Sequence, residues 1–445
     1  MMRAGVPWAV RLRPGWANAS ARRGQFRRCF VFTQSPASAG TPHPARRTVG
    51  DRVLGVIPPI GGGLRDLAET GQVNRLLDYY FPAYLEVFDR IIFFSYFQER
   101  LEDYTDSQTL RTRVRIHAPR KGWPPLLYAV GLPLLAREAI RTCNILRVFQ
   151  ATGALPAVLS RRIYHIPYVT TYGYDYLAAG RSARATLMKL AGIRLLEWLG
   201  VRAAEGIIVT TPALAQHLAR WVPPQKVHLV PNGVDTTRFV PGKGDLPGEN
   251  RVPRLLFVGR LARQKNLTIL LAALERLMTD CQVNLTVIGA GPEEQKLRAV
   301  VAARHLPVEF TGVVRHEDLP KFFAHADVFV LPSQWEGHPK ALLEAMSAGL
   351  ACVVSDVEGN RSLITDRVTG LLVEPGNPTA LESAIRLVLN DSSLRQRLGQ
   401  AARMQVLKQY DLHLLLRREV AVIQKTMLRG QWSASSKPTG KELTG

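Results

Sequence analysis

The stretch VFVLPSQWEGHPKALLEAM, residues 328–346, decides the fold, because it joins a strand, a short loop and the start of a helix. Its apolar beginning, 328–331, predicts a buried strand that Pro332 ends. Pro339 suits the first turn of a helix, where its missing N–H costs nothing. We predict that this helix continues to about Gly349. A strand that leads through a loop into a helix is typical of a parallel α/β sheet.

Two glutamates, Glu336 and Glu344, stand eight positions apart in this stretch. Glu336 is predicted to lie in the loop at the carboxyl end of the strand, and Glu344 in the first turns of the helix. In an open α/β sheet this edge is where ligands bind, and helix-start N–H groups can hold a phosphate there. An isolated pair with this spacing fits two solvated surface acids equally well. The apolar, Gly and Pro surroundings favour a functional site.

Length and composition indicate a two-domain globular protein. At 445 residues the chain is too long for one ordinary core, and its 46% hydrophobic and 21% charged content is typical of globular domains. No apolar run is long enough to cross a bilayer. The four cysteines are scattered, which argues against a disulfide framework or a zinc site and fits a reducing cytosol. We therefore expect a cytoplasmic protein.

The net charge of +22 is unevenly distributed. Residues 1–50 contain nine arginines and no Asp or Glu, a composition typical of an organellar transit peptide, although Pro and Gly interrupt any amphipathic helix. A disordered extension is an equally good interpretation, and we exclude 1–50 from the fold.

The excess of basic residues in the rest of the chain is compatible with three kinds of partner: nucleic acid, an anionic membrane or phosphorylated small molecules. Because no nucleic-acid-binding module is present, we expect no nucleic acid partner.

Strands and helices alternate in two series, which predicts an α/β protein with two doubly wound Rossmann-like domains that face a central cleft. The predicted strands are 51–57, 90–94, 144–149, 167–171 and 206–210, then 255–258, 284–288, 308–311, 328–331, 351–355 and 370–373. The domains are 51–235 and 254–410, with a linker over 236–253. A helix over 411–429 is predicted to cross back to the first domain, and 430–445 is predicted to be a disordered tail. The cleft is the default ligand site.

Glycine-containing loops follow several of these strands. In the second domain, Gly259 precedes the cations Arg260 and Lys265, which together can neutralise a diphosphate. The alternative is a solvated basic loop. The other glycine loops contain Gly289 and Gly291, an incomplete dinucleotide fingerprint, then Gly312 with Val313, and in the first domain Gly61, Gly62 and Gly63. The triple glycine fits a phosphate cradle or simply a flexible loop.

Taken together, these segments resemble glycosyltransferase family 4, the retaining enzymes of GT-B architecture. The resemblance lies in Gly259-Arg260-Leu261, Gly289 to Glu293, Gly312-Val313, the E-x7-E block from Glu336 to Glu344, and Asp356 to Asn360. Pro231 to Asp235 resembles the interdomain element of the family. The resemblance is strong over about 230–410 and looser over 51–230.

The resemblance implies that the second domain binds a nucleotide-diphosphate sugar. Arg260 and Lys265 would clamp the diphosphate and stabilise the leaving group. Glu336 would contact the donor sugar and Glu344 the ribose hydroxyls. The N–H groups near Lys340 and Ala341 would contact a phosphate, in a site that also includes Gly337. Transfer would retain the anomeric configuration, and without a DxD motif we expect neither a metal nor another cofactor.

Two positions depart from the family pattern. Where many relatives have a histidine, this chain has Tyr172, so that the acceptor-side contact is assigned to Tyr172 or Asp175, together with Gly62 and Gly63. A second glutamate that is common after Asn360 is replaced by Ser362. This replacement affects how the donor sugar is held but leaves the phosphate site in place.

A basic and apolar segment, 181–202, predicts a helix that touches an anionic membrane surface. An ordinary helix that covers the core with a basic outer face is the alternative. Since family members often act on lipid-linked acceptors, we expect peripheral association at the inner face of the cell membrane.

The expected activity is hexosyl transfer to a glycan or lipid-linked acceptor in surface polysaccharide or glycolipid synthesis. Two other functions remain open. One is a nucleotide-sugar epimerase on the same scaffold, for which the E-x7-E block is poorly suited. The other is a nucleotide-sugar-binding protein without transfer activity. The sequence leaves the base, the sugar and the acceptor undetermined.

Overall fold

The strands of the chain assemble into two parallel sheets. The structure is a computed structural model that describes residues 51–69, 71–119, 122–177, 180, 186–242 and 251–435, the last six of these by their backbone alone. The first sheet has the strand order β3-β2-β1-β4-β5-β6-β7, and the second has the order β10-β9-β8-β11-β12-β13. Each order reverses direction beside its first strand, which is the doubly wound arrangement.

The first sheet belongs to the N-terminal half. Its strands are β1 (Val53–Ile57), β2 (Arg90–Phe94), β3 (Val114–His117), β4 (Ile145–Val148), β5 (Tyr168–Tyr172), β6 (Gly206–Val209) and β7 (Val227–Leu229). The helices are α1 (Leu64–Glu69), α2 (Val73–Arg75), α3 (Phe81–Leu85), α4 (Gln108–Arg113), α5 (Pro125–Leu135), α6 (Arg137–Thr142), α7 (Leu155–Tyr164), α8 (Leu187–Arg202) and α9 (Pro212–Leu218). A π-helical turn, Leu76–Tyr80, joins α2 to α3.

The second sheet belongs to the C-terminal half. Its strands are β8 (Arg254–Val258), β9 (Asn284–Ile288), β10 (Val308–Gly312), β11 (Val328–Leu331), β12 (Ala351–Ser355) and β13 (Leu371–Val373). The helices are α10 (Leu267–Leu277), α11 (Glu294–Ala303), α12 (Leu319–His325), α13 (Lys340–Ser347), α14 (Glu358–Arg361), α15 (Pro378–Asn390), α16 (Ser392–Gln409) and α17 (Leu412–Ser435).

Burial explains why these runs form strands. All residues of β1, β4, β6, β11 and β12 are buried, as expected for central strands that helices cover on both faces. Because every paired strand is parallel, the loops that follow them meet at one edge of each sheet. This edge carries the candidate site residues.

Two strands of the first sheet were not predicted. In β3, which lies at one edge of the sheet, Val114 is buried and Arg115 exposed, so that the strand lacks a continuous apolar run. The strand β7 lies at the opposite edge and is only three residues long. Edge strands are covered on fewer sides than central strands, and their sequences therefore carry a weaker apolar signal.

Helix α17 crosses from the C-terminal half back to the first sheet. Its residues Leu415, Val420 and Ile423 join the core formed by β1, β2 and α3. The crossing begins at a bridge between Val234 and Asp411, beside the segment that leaves the first sheet. The helix continues to Ser435, six residues beyond the predicted end. This crossing couples the end of the chain to the N-terminal half.

A buried ion pair ties α17 to the first sheet. Glu419 accepts a hydrogen bond of 2.9 Å from the Arg147 Nε and one of 2.6 Å from the Tyr84 hydroxyl. Arg147 also donates to the Thr171 hydroxyl at 2.7 Å. Both charged side chains are almost fully buried. Their charges are therefore compensated inside the protein and not by water.

Several predictions fall on residues outside the described ranges. These are the extension 1–50, the first part of the basic segment, 181–185, the linker residues 243–250 and the tail residues 436–445. Within the described part of the chain, no helix is both long enough and apolar enough to span a membrane.

Candidate active site

The Lys265–Glu336 ion pair lies at the carboxyl edge of the second sheet. The Lys265 ammonium is 2.5 Å from Glu336 Oε1, and the Ser333 hydroxyl donates to the same oxygen at 2.6 Å. The Glu336 carboxylate is 6% exposed and the Lys265 side chain 16% exposed. Two residues 71 positions apart in sequence are thus held in one geometry.

The backbone around the Lys265–Glu336 pair is also fixed. The Gln334 N–H donates to the Gln264 carbonyl at 2.8 Å, and the Gln264 side chain donates to the Trp335 carbonyl at 2.9 Å. These reciprocal bonds join the loop after β8 to the loop after β11. The site is therefore preorganised and does not depend on a ligand to bring Lys265 to Glu336.

Arg260 is the second cation of the loop after β8. Its side chain is exposed, and no described residue forms a hydrogen bond or ion pair with it. The guanidinium is therefore available to an anionic ligand, in contrast to the ammonium of Lys265. A guanidinium suits a phosphate because its fork of N–H donors matches the phosphate oxygens.

The glycine loops allow the backbones of adjacent turns to touch. Gly289 has a φ of +127°, and a Cβ there would lie 2.1 Å from the Gly259 carbonyl oxygen. A Cβ at Gly291 would lie 2.4 Å from the Leu261 carbonyl oxygen. Gly312 has a φ of +72°, and Val313 beside it is 47% exposed. Gly289 and Gly291 thus permit the close packing of these turns, whereas a Cβ at Gly312 would meet open space.

The loop that contains Gly337 contacts the N-terminal half. A Cβ at Gly337 would lie 2.6 Å from the Gly173 carbonyl oxygen, and the Tyr174 and Trp335 rings are 6.0 Å apart. The Asn232 side chain donates to the His338 carbonyl at 2.6 Å. Both halves of the chain therefore form the walls around Glu336.

Glu344 lies deeper in the structure than Glu336. Its carboxylate is 5% exposed, 3.2 Å from the His316 Nε2 and 3.6 Å from the Arg75 Nη1, and both contacts are to Oε1. Arg75 comes from α2 of the N-terminal half and also donates to the Gly233 carbonyl. The sequence analysis identified neither Arg75 nor His316. The glutamate expected to bind ribose thus already has two partners in this structure.

The structure does not place Tyr172 at the cleft surface. The residue is fully buried, and its hydroxyl donates to the buried Glu197. Burial is the main cause that raises the pKa of both groups. The Tyr172 phenol therefore offers no exposed surface to an acceptor. Asp175 is partly buried near this pair, where its charge contributes to the raised pKa of Tyr172.

A pocket of about 450 Å³ lies between the two halves. We call it the interdomain pocket, and its walls include Gly61 to Gly63, Gln72, Arg75, Arg147, Asn232 and Lys340. Gly62 and Gly63 thus reach the same space as Lys340, which begins α13. Burial, together with the charge of Arg75, lowers the pKa of Lys340 to about 7, although the carboxylates of Glu344 and Glu419 act in the opposite direction. Ala341, the next residue of α13, is partly exposed.

The structure also bears on the expected absence of a metal. Within the described residues, no three His, Cys, Asp or Glu side chains are grouped as a metal site requires. Metal independence stays a prediction.

Comparisons with known proteins agree with this architecture. The family model "Glycosyl transferases group 1" matches residues 245–405, and the model "Glycosyltransferase Family 4" matches residues 89–238. The α-maltose-1-phosphate synthase of Mycobacterium tuberculosis is 28% identical over 326 residues, which cover 67% of this chain and 83% of that protein.

Two further proteins show a similar likeness. An Escherichia coli UDP-Gal:α-D-GlcNAc-diphosphoundecaprenol α-1,3-galactosyltransferase is 30% identical over 264 residues, 55% of this chain and 65% of that protein. The crystal structure of Anabaena HepE in complex with UDP-glucose has a TM-score of 0.68 at 18% identity, and the match covers 84% of this chain and 99% of that one. The two family models together match most of the chain, and it belongs to glycosyltransferase family 4, with the GT-B fold.

Proposed function

We propose that this protein is a retaining glycosyltransferase that moves a sugar from a nucleotide-diphosphate sugar to a hydroxyl of a glycan or lipid-linked acceptor. The observation that carries the proposal is the buried Lys265–Glu336 pair beside the exposed Arg260, whose side chain has no partner among the described residues. It places two cations and one carboxylate at the edge of a sheet where glycines let adjacent turns pack closely together. The relatives named above are a synthase and a transferase, and neither favours the epimerase alternative.

In the proposed reaction, the bond between the anomeric carbon and the diphosphate oxygen breaks as the acceptor oxygen bonds to the same face of that carbon. The acceptor proton passes to the leaving phosphate oxygen. Arg260 and Lys265 stabilise the negative charge that develops on the diphosphate. Glu336 orients the donor sugar and restrains Lys265 through their 2.5 Å contact. In this scheme the residues of the chain supply the charge stabilisation, and no metal is required.

Glu344 can still bind ribose in this proposal. His316 and Arg75 both contact Oε1 of its carboxylate, and a ribose hydroxyl would use Oε2. The N–H groups at the start of α13 would contact a phosphate of the donor, and the backbone near Val313 would contact the base. The nucleotide would then cross the edge of the second sheet from the loop after β10 to the loop after β8.

The transfer proposal is tested by incubating the full chain with a panel of nucleotide sugars and recording the unfolding temperature. We expect one donor to raise it, because binding to the folded state stabilises that state by mass action. That donor is then combined with candidate acceptors, and the anomer of the product is determined by NMR, with and without EDTA. Inverted product, or activity that EDTA abolishes and a divalent cation restores, would contradict the proposal. Conversion of the donor to an epimer would favour the alternative.

We also propose that the N-terminal half binds an anionic membrane surface through α5 and α8. Both helices contact α7, and their apolar side chains are unusually exposed. The exposed side chains are Leu126, Leu127, Val130, Leu134 and Leu135 on α5, and Leu187, Met188, Leu195 and Trp198 on α8. The exposed cations Lys189 and Arg194 accompany them on α8. Apolar groups beside cations suit an anionic interface.

Replacing Met188, which is 87% exposed, by glutamate is expected to reduce binding to phosphatidylglycerol-containing vesicles about tenfold. The substitution removes an apolar contact and adds repulsion. Sedimentation with vesicles at two salt concentrations measures the effect, since higher salt screens the electrostatic part. Met404→Glu is the control, because Met404 is 66% exposed on α16 of the other half. Equal binding by the two variants would contradict the membrane proposal.

A further inference from the structure

The Lys340 side chain lies in the wall of the interdomain pocket. No described residue forms a hydrogen bond or ion pair with its ammonium, and the residue is only partly exposed. An unpaired ammonium in such a place destabilises the folded protein, and positions of this kind are often functional. The Glu344 and Glu419 carboxylates offset part of this positive charge, and the ammonium is available to an anionic ligand.

Two other polar atoms of the pocket walls also lack partners. Among the described residues, no group accepts a hydrogen bond from the buried Arg75 Nε and none donates to the buried Gln72 Oε1. Both side chains line the same pocket as Lys340. Buried polar atoms are almost always paired in folded proteins. An N–H donor, an amide acceptor and an ammonium in one cavity together favour a ligand that is polar and negatively charged.

The other walls of the pocket distinguish this ligand from the donor. They come largely from the carboxyl edge of the first sheet and include Gly61 to Gly63, Phe149, Thr171 and Thr210. The loops around Gly259, Gly289 and Gly312 do not line the pocket. Lys340 therefore presents its ammonium on the N-terminal side of the cleft, whereas its backbone begins α13 on the donor side.

We propose that the interdomain pocket binds an acceptor sugar that carries a phosphate or a carboxylate, and that the Lys340 ammonium and the Arg75 Nε–H hold this anionic group. The proposal rests on the proposed function, because it takes this pocket as the acceptor side. The volume of about 450 Å³ falls within the range of small-molecule sites. Gln72 and Asn232 supply groups that can bind sugar hydroxyls.

Charge selectivity is the property to measure. The dissociation constants of the full chain for glucose 6-phosphate, glucose 1-phosphate and glucuronate are compared with that for glucose by calorimetry. We expect at least one anionic sugar to bind about tenfold or more tightly than glucose. In Lys340→Met this preference is expected to fall about tenfold to hundredfold, the usual effect of losing a hydrogen bond to a charged group. Lys340→Arg retains it.

The control variant is Lys408→Met, which removes an exposed lysine of α16 and should keep the preference of the wild type for anionic sugars over glucose.

A second measurement is the unfolding midpoint. We expect Lys340→Met to raise it, because the variant removes an unpaired charge from the pocket wall. A lowered midpoint would show that the ammonium has a structural partner and would overturn the proposal. Equal binding of glucose and every anionic sugar by the wild type would also overturn it.

The pH dependence gives an independent readout. Because the pKa of Lys340 is about 7 in the free pocket and a bound anion raises it, binding is strongest below this pH and weakens as the pH rises. Glucuronate should therefore bind progressively more weakly from about pH 6.5 to about pH 8.5 in the wild type but not in Lys340→Arg. The other ionisable groups that line the pocket or face Lys340 are Asp66, Arg75, Tyr80, Arg147, Glu344 and Glu419. Parallel curves for the two proteins would contradict the role of Lys340.

Two sources of the anionic group are separated by the choice of acceptor. Free hexose phosphates are compared with N-acetylglucosamine diphosphate on a short prenyl chain in phosphatidylcholine vesicles. If the free hexose phosphates bind or react better, the anionic group belongs to a free sugar phosphate. If the vesicle-bound compound does, the group belongs to a lipid-linked sugar diphosphate. Both results agree with recognition of a sugar that carries an anionic group. If Lys340→Met weakens donor binding as much as hexose phosphate binding, the ammonium serves the donor and the proposal is wrong. Charge-selective binding without any sugar transfer would contradict the proposed function alone.

Discussion

The Lys265→Met variant is expected to lose about 10²- to 10³-fold in kcat/KM for sugar transfer. The ammonium of Lys265 is 2.5 Å from Glu336 and beside the proposed position of the leaving diphosphate. Removing it would leave the developing charge to Arg260 and to the N–H groups at the start of α13. It would also leave the Glu336 carboxylate, 6% exposed, without its ion-pair partner. The expected loss is thus the combined effect on leaving-group stabilisation and on the position of Glu336.

A neighbouring residue supplies the matched control. Arg263 lies in the same short turn as Lys265 but is exposed, and Arg263→Met should keep kcat/KM within about threefold of the wild type. Donor affinity, measured by calorimetry, separates the two roles of Lys265. A loss confined to kcat would indicate an interaction made in the transition state, and an equal loss in affinity would indicate ground-state binding. Wild-type turnover by Lys265→Met would refute the assigned site.

The Glu419→Leu variant is expected to destabilise the protein by about 3–5 kcal/mol, the usual effect of removing one partner of a buried ion pair. Arg147 would keep its charge inside the core while losing the 2.9 Å contact of its Nε, and the Tyr84 hydroxyl would lose its acceptor. Since Glu419 lies on α17, the variant should also loosen the crossing of this helix to the first sheet. Unfolding in guanidinium chloride measures the loss.

The double variant Arg147→Met with Glu419→Leu tests the mechanism, because it removes both charges. It should recover most of the lost stability, as apolar residues of similar volume can replace a buried ion pair. The surface control is Asp280→Ala, which breaks the exposed contact with Arg386 and should change the stability by less than about 1 kcal/mol. A double variant as unstable as Glu419→Leu alone would show that packing, and not the uncompensated charge, causes the loss.

The fold was largely predictable because the apolar pattern of central strands is local. Every strand of the second sheet was predicted within about two residues, since each is a short apolar run bounded by Gly, Pro or polar residues. The edge strands β3 and β7 were missed because short, partly exposed strands carry little of this pattern. The end of α17 was placed too early, because Gly430 favours a helix end after Arg429, whereas the helix continues through Gly430 to Ser435.

The candidate site was only partly predictable. The loops with Gly259, Gly289, Gly312 and Glu336 were expected at one sheet edge, because the carboxyl ends of parallel strands meet there. The direct contact of Lys265 with Glu336 required the structure. So did the partners of Glu344, since Arg75 lies in a short helix of the other half and no sequence signal marks it. The burial of Tyr172 against Glu197 depends on how α8 packs over β5.

The sequence by itself determined the two-sheet architecture, the family and the loops that form the E-x7-E site, because these depend on apolar periodicity and on residues close together in the chain. The tertiary structure decided which charges are paired. It joined Lys265 to Glu336 and Arg75 to Glu344, and it left the Lys340 ammonium in the interdomain pocket without a partner among the described residues. Pairing depends on side chains from distant segments and on their removal from water, which no local pattern records.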